Sequence, residues 1–252
     1  MSVYLPDNRI TVPELFYPGR KPTVPVRVNW NHPLSKGLRN ILVLCSSFKN
    51  KGETPKYENG LVNFTGGTSE GNQYDVFKDV EWLKGKSEYS ICIGVKPRAV
   101  DGNNMIFAMG VDSGVFRSAN TIAVWVDDNE FNSGVNNCLA FEHGTATNTG
   151  PTSRVHSSEN SIEANRYYNI VCRQDENSAD CCINGKQDGI VITADLAPVS
   201  TSINEGYLGH LTSTLTSTIN GELHYLYIFD RRLADDEVQA LHINPYQFLE
   251  AA

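Results

Sequence analysis

Residues 221–233 read GELHYLYIFDRRL, and this stretch decides the fold class. Apolar and aromatic side chains recur at every second position, which is the period of a β-strand with one covered face. The stretch therefore predicts one long strand of a sheet. The side chains expected to share its covered face are Leu223, Tyr225, Tyr227 and Phe229.

A short helix is predicted directly after this strand. Its first turn would contain three acidic residues, whose negative charge offsets the helix dipole: Asp235, Asp236 and Glu237. Ala234 would be the N-cap, although it has no side-chain oxygen to accept a backbone N–H. Asn244-Pro245 would end the helix, because the residue before a proline avoids the α region.

Shorter β patterns lie earlier in the chain. Residues 89–96 and 166–173 alternate apolar with small or polar side chains, which favours strands with one covered face. Residues 179–183 lead into Asn184-Gly185, a pair typical of a type I′ hairpin turn. Further strands are predicted at residues 41–45, 105–109 and 121–126. Many short strands separated by Gly, Asn, Asp and Ser clusters indicate an all-β sandwich or barrel.

Composition and charge exclude several classes of partner. The 252 residues are 40% hydrophobic and 20% charged, which suits one large globular β-sandwich. A formal charge of -8 argues against a nucleic-acid partner, because an acidic surface repels phosphates. No apolar run is long enough to span a bilayer, so no membrane partner is expected.

The six cysteines are expected to be free thiols. The sequence opens without the apolar stretch of a secretory signal, which favours synthesis in a reducing compartment. Most of the cysteines also lie inside apolar runs, and no C-x-x-C pair is present to hold zinc. They are Cys45, Cys92, Cys138, Cys172, Cys181 and Cys182.

Residues 1–35 differ from the remainder and are predicted to form an extended arm. They contain six of the eleven prolines, and proline removes backbone donors and disfavours regular ladders. The segment either packs on its own domain or docks on a neighbouring subunit. In the second case the side chains expected to anchor it are Tyr4, Phe16, Tyr17, Pro18 and Arg20.

Three stretches resemble laminin G-like jelly rolls of the concanavalin A-like lectin/glucanase superfamily. Residues 89–97 (YSICIGVKP) are similar to an early inner strand of that family. Residues 165–172 (NRYYNIVC) with 182–186 (CINGK) resemble its paired strands, and residues 221–241 resemble its closing strand and helix. The resemblance implies an antiparallel two-sheet β-sandwich over residues 36–252, preceded by the arm at residues 1–35.

Two flanking stretches narrow the implied context. Residues 28–38 (VNWNHPLSKGL) and 244–249 (NPYQFL) resemble the borders of laminin G-like proteins encoded by tailed bacteriophages and prophages. This resemblance implies a non-enzymatic virion structural protein, a capsid decoration or a tail-associated module, that assembles in host cytoplasm. Its partners would be other virion proteins, and homo-oligomerisation would suit symmetric virion sites.

The alternative function is a carbohydrate-binding adhesion module that recognises host surface glycans. Sugars bind shallow sites through aromatic stacking and through hydrogen bonds from polar side chains. The residues expected to do this are Trp125, Asp127, Asn129 and Phe131. Trp125 can equally be a core residue, which is the commoner place of tryptophan in a sandwich.

No catalytic residue, cofactor or metal is expected. A retaining glycosidase needs two carboxyl groups about 5–5.5 Å apart, which a strand supplies from acids two or four positions apart. No such string of acids occurs, and Asp127, Asp128 and Glu130 belong to a predicted turn. Calcium stays an open alternative, because Asp112, Asp127, Asp128 and Asn129 offer oxygen ligands.

Overall fold

The computed structural model describes an array of antiparallel strands. The described residues are 26–43, 62–64, 75–77, 80–101, 104–110, 121–128, 135–143, 154–193, 196, 198–203, 205–209 and 219–251. Their strands are β1 (Val26–Val28), β2 (Leu38–Val43), β3 (Val62–Phe64), β4 (Asp75–Phe77), β5 (Tyr89–Pro97), β6 (Asn104–Gly110), β7 (Ile122–Asp127), β8 (Cys138–His143), β9 (Arg154–His156), β10 (Tyr168–Gln174), β11 (Ser178–Ile183), β12 (Lys186–Thr193), β13 (Glu205–Leu208), β14 (Gly221–Phe229) and β15 (Leu249–Ala251). Helix α1 (Asp235–Ile243) follows β14, as the sequence predicts.

The strands form two main sheets. The seven-stranded sheet has the order β12-β11-β10-β5-β14-β2, with β3 also paired to β14. The six-stranded sheet has the order β4-β13-β6-β7-β8-β9. The pairings within both sheets are antiparallel. The predicted antiparallel β-sandwich is therefore confirmed. None of the helices in the described ranges is long and apolar enough to cross a membrane.

The main hydrophobic core lies between the two sheets. Ile93, Ile170 and Leu226 of the seven-stranded sheet and Val124 and Phe141 of the six-stranded sheet belong to one buried cluster. Burying a side chain of this size stabilises the fold by about 1.5–3 kcal/mol. These residues come from alternating positions of their strands, so the period of two in the sequence encodes this core.

A second apolar cluster covers the outer face of the seven-stranded sheet. Tyr225 and Tyr227 stack with ring centroids 4.6 Å apart, and Phe248 meets the Tyr227 ring edge-on. Val238 and Leu241 of α1 pack into the same cluster. The alternating residues of β5 predict one covered face, and this prediction is wrong. Both faces of β5 are buried, because α1 and the segment after it lie over the outer face.

A bulge in β14 places Leu223 on the face of the sheet opposite to the one that the sequence predicts. The register between β14 and β5 shifts between Leu223 and Tyr225. Leu223 therefore packs in the core between the sheets, whereas Tyr225 and Tyr227 pack in the outer cluster. A bulge adds one residue to one strand, which reverses the alternation from that point on. The sequence period alone does not reveal it.

The turn and the helix start follow the sequence chemistry. Asn184 and Gly185 have φ values of 52° and 85°. Both angles are positive, as the predicted type I′ turn between β11 and β12 requires. At the start of α1, the Ala234 N–H donates to Glu237 Oε2 at 2.9 Å. This contact is half of a capping box, and the other half is missing because alanine has no side-chain oxygen.

Residues 26–35 are the part of the predicted arm that the structure describes. β1 pairs with β15, with Val26 opposite Ala251 and Val28 opposite Leu249. Leu34 is buried in the outer cluster of the same chain. The anchoring residues Tyr4, Phe16, Tyr17, Pro18 and Arg20 lie outside the described residues, so docking of the arm on a neighbour stays a prediction.

The described cysteines are buried free thiols. They are Cys92, Cys138, Cys172, Cys181 and Cys182, while Cys45 lies outside the described residues. Cys181 and Cys182 pack into different clusters, as neighbours on a strand must. Burial raises the pKa of Cys138 and of Cys182 to about 12, so both are protonated at neutral pH.

A buried histidine bridges the two sheets at one end of the main core. His143 Nδ1 of β8 lies 2.7 Å from Gln174 Oε1 of β10 and 3.2 Å from the Tyr89 hydroxyl of β5. Within the described part of the chain, His143 Nε2 is buried without a hydrogen-bond partner. Burial lowers the pKa of His143 below its ordinary value of 6.5, although the hydrogen bond with Gln174 opposes this.

This histidine is expected to make the fold less stable in mild acid. The unfolded chain takes up a proton at His143 near pH 6.5, whereas the folded chain takes it up at a lower pH. The stabilising effect of neutral His143 is therefore complete above pH 6.5 and is lost as the pH falls through the folded pKa. Urea unfolding from pH 8 to pH 5 should show a smaller decline for His143→Gln than for the wild type. Equal declines in the free energy of unfolding for the two proteins would contradict the conclusion that neutral His143 stabilises the fold.

Candidate functional site

An open cleft of about 570 Å³ lies on the outer face of the seven-stranded sheet. Strands β10, β11 and β12 form its floor and side, and the loop that precedes α1 forms its other wall. Ligand pockets typically measure about 300–1,000 Å³, so its size suits one or two sugar rings. The polar side chains that line it are Arg173, Asp180, Gln187, Arg232 and Asp235.

A bulge in the edge strand β12 shapes one side of the cleft. Cys181 pairs with Asp188 and Ala179 pairs with Ile192, so residues 189–191 lie opposite Asp180 alone. Bulges bend a strand and redirect its side chains. Here Ile190 and Val191 are 49% and 40% exposed, and Val191 lines the cleft. Val191 gives this side of the cleft an apolar surface next to polar groups.

Gly189 allows the bulge to lie against the neighbouring sheet. Its φ is +76°, and a Cβ built there would be 2.1 Å from the backbone oxygen of His156. Asp188 supports the same contact, because its Oδ1 accepts the Ser158 N–H at 2.9 Å. The close approach of β12 to β9 therefore depends on a residue without a side chain.

Arg173 is held rigidly at the bottom of the cleft. Its Nε donates to Asp180 Oδ1 at 2.7 Å and its Nη2 to Asp180 Oδ2 at 3.2 Å, while Nη1 donates to the Leu233 carbonyl at 2.8 Å. The side chains of Arg173 and Asp180 are only 5% and 4% exposed. Burial, the largest single effect, lowers the pKa of Arg173, but the hydrogen bonds with Asp180 and Asp235 and the nearby acidic groups together outweigh it, so the pKa is raised.

Arg232 places a second guanidinium beside the first. Its Nη2 contacts Asp180 Oδ2, and its Nε lies 3.3 Å from Asp175 Oδ2. Its Nη1 donates to the backbone oxygens of Arg173 and Ser178 at 3.3 and 3.4 Å. These bonds fix Arg232 across the end of the β10–β11 hairpin, with its side chain 21% exposed. The cleft thus contains two oriented cationic groups.

Asp235, the first residue of α1, contributes an acid at the mouth of the cleft. Its Oδ1 lies 2.6 Å from Arg173 Nη2, yet its side chain is 89% exposed. It differs in this from Asp180, which is buried between the two arginines. The loop before it is fixed, because the Leu233 N–H donates to Ser90 Oγ at 2.9 Å.

Two of the residues that the sequence singled out for glycan binding, Trp125 and Asp127, lie on the other sheet. Trp125 and Asp127 are fully buried in β7, and the Arg154 guanidinium lies 5.2 Å from the centroid of the indole. A sugar could not reach this indole in the conformation described. Asn129 and Phe131 lie outside the described residues. Stacking of a glycan on Trp125 therefore stays a prediction, and the burial of the indole does not support it.

The face around Trp125 contains a further ion pair. Arg154 Nη2 lies 2.8 Å from Glu142 Oε2, and the two side chains are 8% and 9% exposed. Asp112 and Asn129 lie outside the described residues, so calcium binding by these loops stays a prediction. Within the described part of the chain, no three His, Cys, Asp or Glu side chains cluster closely enough to hold a metal ion.

The residues of the cleft were missed by sequence reasoning. Arg173 occupies an outward position of an alternating strand, and Asp235 has an ordinary role in a helix first turn. The one available signal was the pair of arginines at residues 231–232, between an apolar strand and an acidic helix start. Nothing local connects these arginines to Arg173, which lies about sixty residues earlier.

The chain is a two-sheet β-sandwich with an outer helix and a polar surface cleft. A family model described as the concanavalin A-like lectin/glucanases superfamily matches residues 68–239. The chain belongs to this superfamily, within its laminin G-like branch. The resemblance seen in the sequence is thereby confirmed, while a phage origin is not shown. No curated protein matches the chain.

Solved structures with the same fold include carbohydrate-binding modules. The CBM40 of a Ruminococcus gnavus IT-sialidase has a TM-score of 0.57 at 13% identity, over 72% of this chain and 96% of that one. The same module bound to α2,3-sialyllactose gives a TM-score of 0.56 at 13% identity, with the same coverage. A leech intramolecular trans-sialidase gives 0.55 at 13% identity, over 73% of this chain and 27% of that one. These likenesses concern the fold.

Proposed function

We propose that this protein is a non-catalytic carbohydrate-binding module and that the cleft beside α1 is its glycan site. The observation that carries the proposal is the cleft itself, which is open, polar and of the size of a small oligosaccharide. Membership of a lectin/glucanase superfamily agrees with it. So does the likeness to a whole sialidase module that binds sialyllactose.

The chemistry of the cleft suits sugar hydroxyls. A hydroxyl group donates one hydrogen bond and accepts others, so it pairs well with neighbouring donors and acceptors. The cleft offers guanidinium donors on Arg173 and Arg232, carboxylate acceptors on Asp235, and the amide of Gln187. Val191 and Ala234 give apolar surface for the C–H groups of a sugar ring.

The acidic residues of the cleft are suited to binding a glycan without cleaving it. A glycosidase needs one carboxyl group that stays protonated to act as general acid, and apolar surroundings usually supply that condition. The acids of the cleft instead lie against arginines, with Asp180 between two of them and Asp235 in contact with one. The absence of catalysis is part of the proposal, and release of reducing sugar from polysaccharides would contradict it.

The expected role as a virion structural protein has less support than glycan binding. It rests on the resemblance of residues 28–38 and 244–249, and none of the similar structures named above is a phage protein. Virion proteins as partners, location in a particle and homo-oligomerisation stay predictions. A glycan-binding module on a particle would satisfy both expectations, with host surface glycans as ligands.

Filling the cleft is expected to abolish glycan binding without unfolding the protein. Ala234 is exposed and lines the cleft, so the phenol ring of Ala234→Tyr would occupy the space of a sugar ring. The wild type should bind a subset of a glycan array, and Ala234→Tyr should lose these signals at an unchanged melting temperature. The matched control is Ser202→Tyr, an exposed small residue outside the cleft, which should bind as the wild type does. Equal binding by both variants would overturn the site, and no binding by the wild type would overturn the function.

A further inference from the structure

We infer that the cleft selects glycans that carry a carboxylate, and that this carboxylate takes the place of Asp235 on Arg173. The inference rests on the proposed function and adds the class of ligand. It comes from the contrast between the two acids that contact Arg173. Asp180 is buried and holds the guanidinium from one side, whereas Asp235 reaches it from the solvent.

Arg173 is prepared to bind an anion. Asp180 and the Leu233 carbonyl fix the guanidinium plane, so little side-chain freedom is left to lose on binding. Its Nη2 is the atom that meets Asp235, at the edge of the cleft. A planar guanidinium held in this way suits a carboxylate better than an uncharged hydroxyl, because charge-assisted hydrogen bonds are the stronger ones.

Asp235 occupies the position that a ligand carboxylate would take. An ion pair whose acid is 89% exposed is weak, because water screens it and a mobile side chain must be ordered. Asp235 is therefore easily displaced. A ligand carboxylate that enters the cleft keeps Arg173 paired and meets Arg232 nearby, while the Asp235 side chain turns to the solvent it already contacts.

The experiment removes the competing acid. Asp235→Ala deletes the carboxylate at Arg173, and Asp236→Ala deletes another exposed acid of the same helix turn that does not line the cleft. Both variants change the net charge by one unit, so the difference between them isolates the contact with Arg173. Affinities are measured by calorimetry for 3′-sialyllactose against lactose and for glucuronic acid against glucose.

The expected result has two parts. The wild type should bind the acidic member of each pair about tenfold more tightly than the neutral one. Asp235→Ala should bind the acidic member about two- to fivefold more tightly than Asp236→Ala does, with no gain for the neutral sugars. Equal affinities of the two variants for the acidic sugars would overturn the inference.

The other outcomes separate this inference from the proposed function. Binding of neutral glycans without any preference for acidic ones would overturn the inference and leave the proposed function standing. Failure of every acidic and neutral glycan to bind the wild type would overturn the proposed function. Arg173 itself is left unchanged, because its removal is expected to destabilise the fold.

Discussion

Replacing Gly189 with alanine is expected to lower the free energy of unfolding by about 2–5 kcal/mol. Two physical effects add up. Left-handed backbone conformations cost an L-residue about 1–2 kcal/mol, and φ at this position is +76°. Overpacking adds about 1–3 kcal/mol, because the new Cβ would lie 2.1 Å from the His156 oxygen and 2.5 Å from Ser157 Cα. Both neighbours are backbone atoms and cannot rotate away.

Gly85 is the matched control for this substitution. Its φ is +72°, and a Cβ built there would meet nothing within 4 Å. Gly85→Ala should therefore show only the conformational effect, about 1–2 kcal/mol. Urea unfolding of both variants separates the two effects. A loss at Gly189 no larger than the loss at Gly85 would show that β12 can move away from β9 at little cost.

Neutralising Asp180 is expected to destabilise the fold by about 3–5 kcal/mol. Asp180→Asn keeps the size of the side chain but leaves Arg173, which is 5% exposed, as a buried charge without its main partner. The new amide group also points N–H donors at a guanidinium that can only donate. Arg232 loses its contact with Asp180 as well.

An exposed pair gives the comparison for Asp180. Arg166 and Glu163 lie 3.3 Å apart with side chains 58% and 64% exposed, and Glu163→Gln should change stability by less than about 1 kcal/mol. The double variant Arg173→Met with Asp180→Leu should recover much of the loss, since apolar residues often replace a buried ion pair without harm. A loss for Asp180→Asn as small as that for Glu163→Gln would contradict the buried-charge argument.

The parts of the fold that the sequence predicts are those that depend on neighbours in the chain. Alternation over residues 89–96 and 166–173 indicates β5 and β10, and Asn184-Gly185 indicates the hairpin turn. The acidic first turn and Asn244-Pro245 indicate α1. The facing of Leu223 was beyond this reasoning, because the bulge that turns it inward is set by pairing with β5.

The site was harder to predict than the fold. Trp125 lies near a predicted turn, which favours exposure, but the exposure of a strand residue depends on what lies over its sheet. The cleft depends on register, which places Arg173 beside Asp180 and both beneath the loop at residue 233. Arg173 and Asp180 face each other across one hairpin, but Leu233 lies 60 residues after Arg173 and reaches it only through the pairing of β14 with β5 and of β5 with β10. Local periodicity carries no information about them.

The pairing of β1 with β15 determines how the sandwich would respond to a pulling force. Val26 and Ala251 sit opposite each other at one end of a short antiparallel ladder. A force applied to the chain just outside these two residues would act across the ladder and separate its hydrogen bonds one at a time, like a zipper. The two strands would peel away at low force before either main sheet is loaded. The separated residues of β1 and β15 would then extend, while the cleft beside α1 keeps its structure.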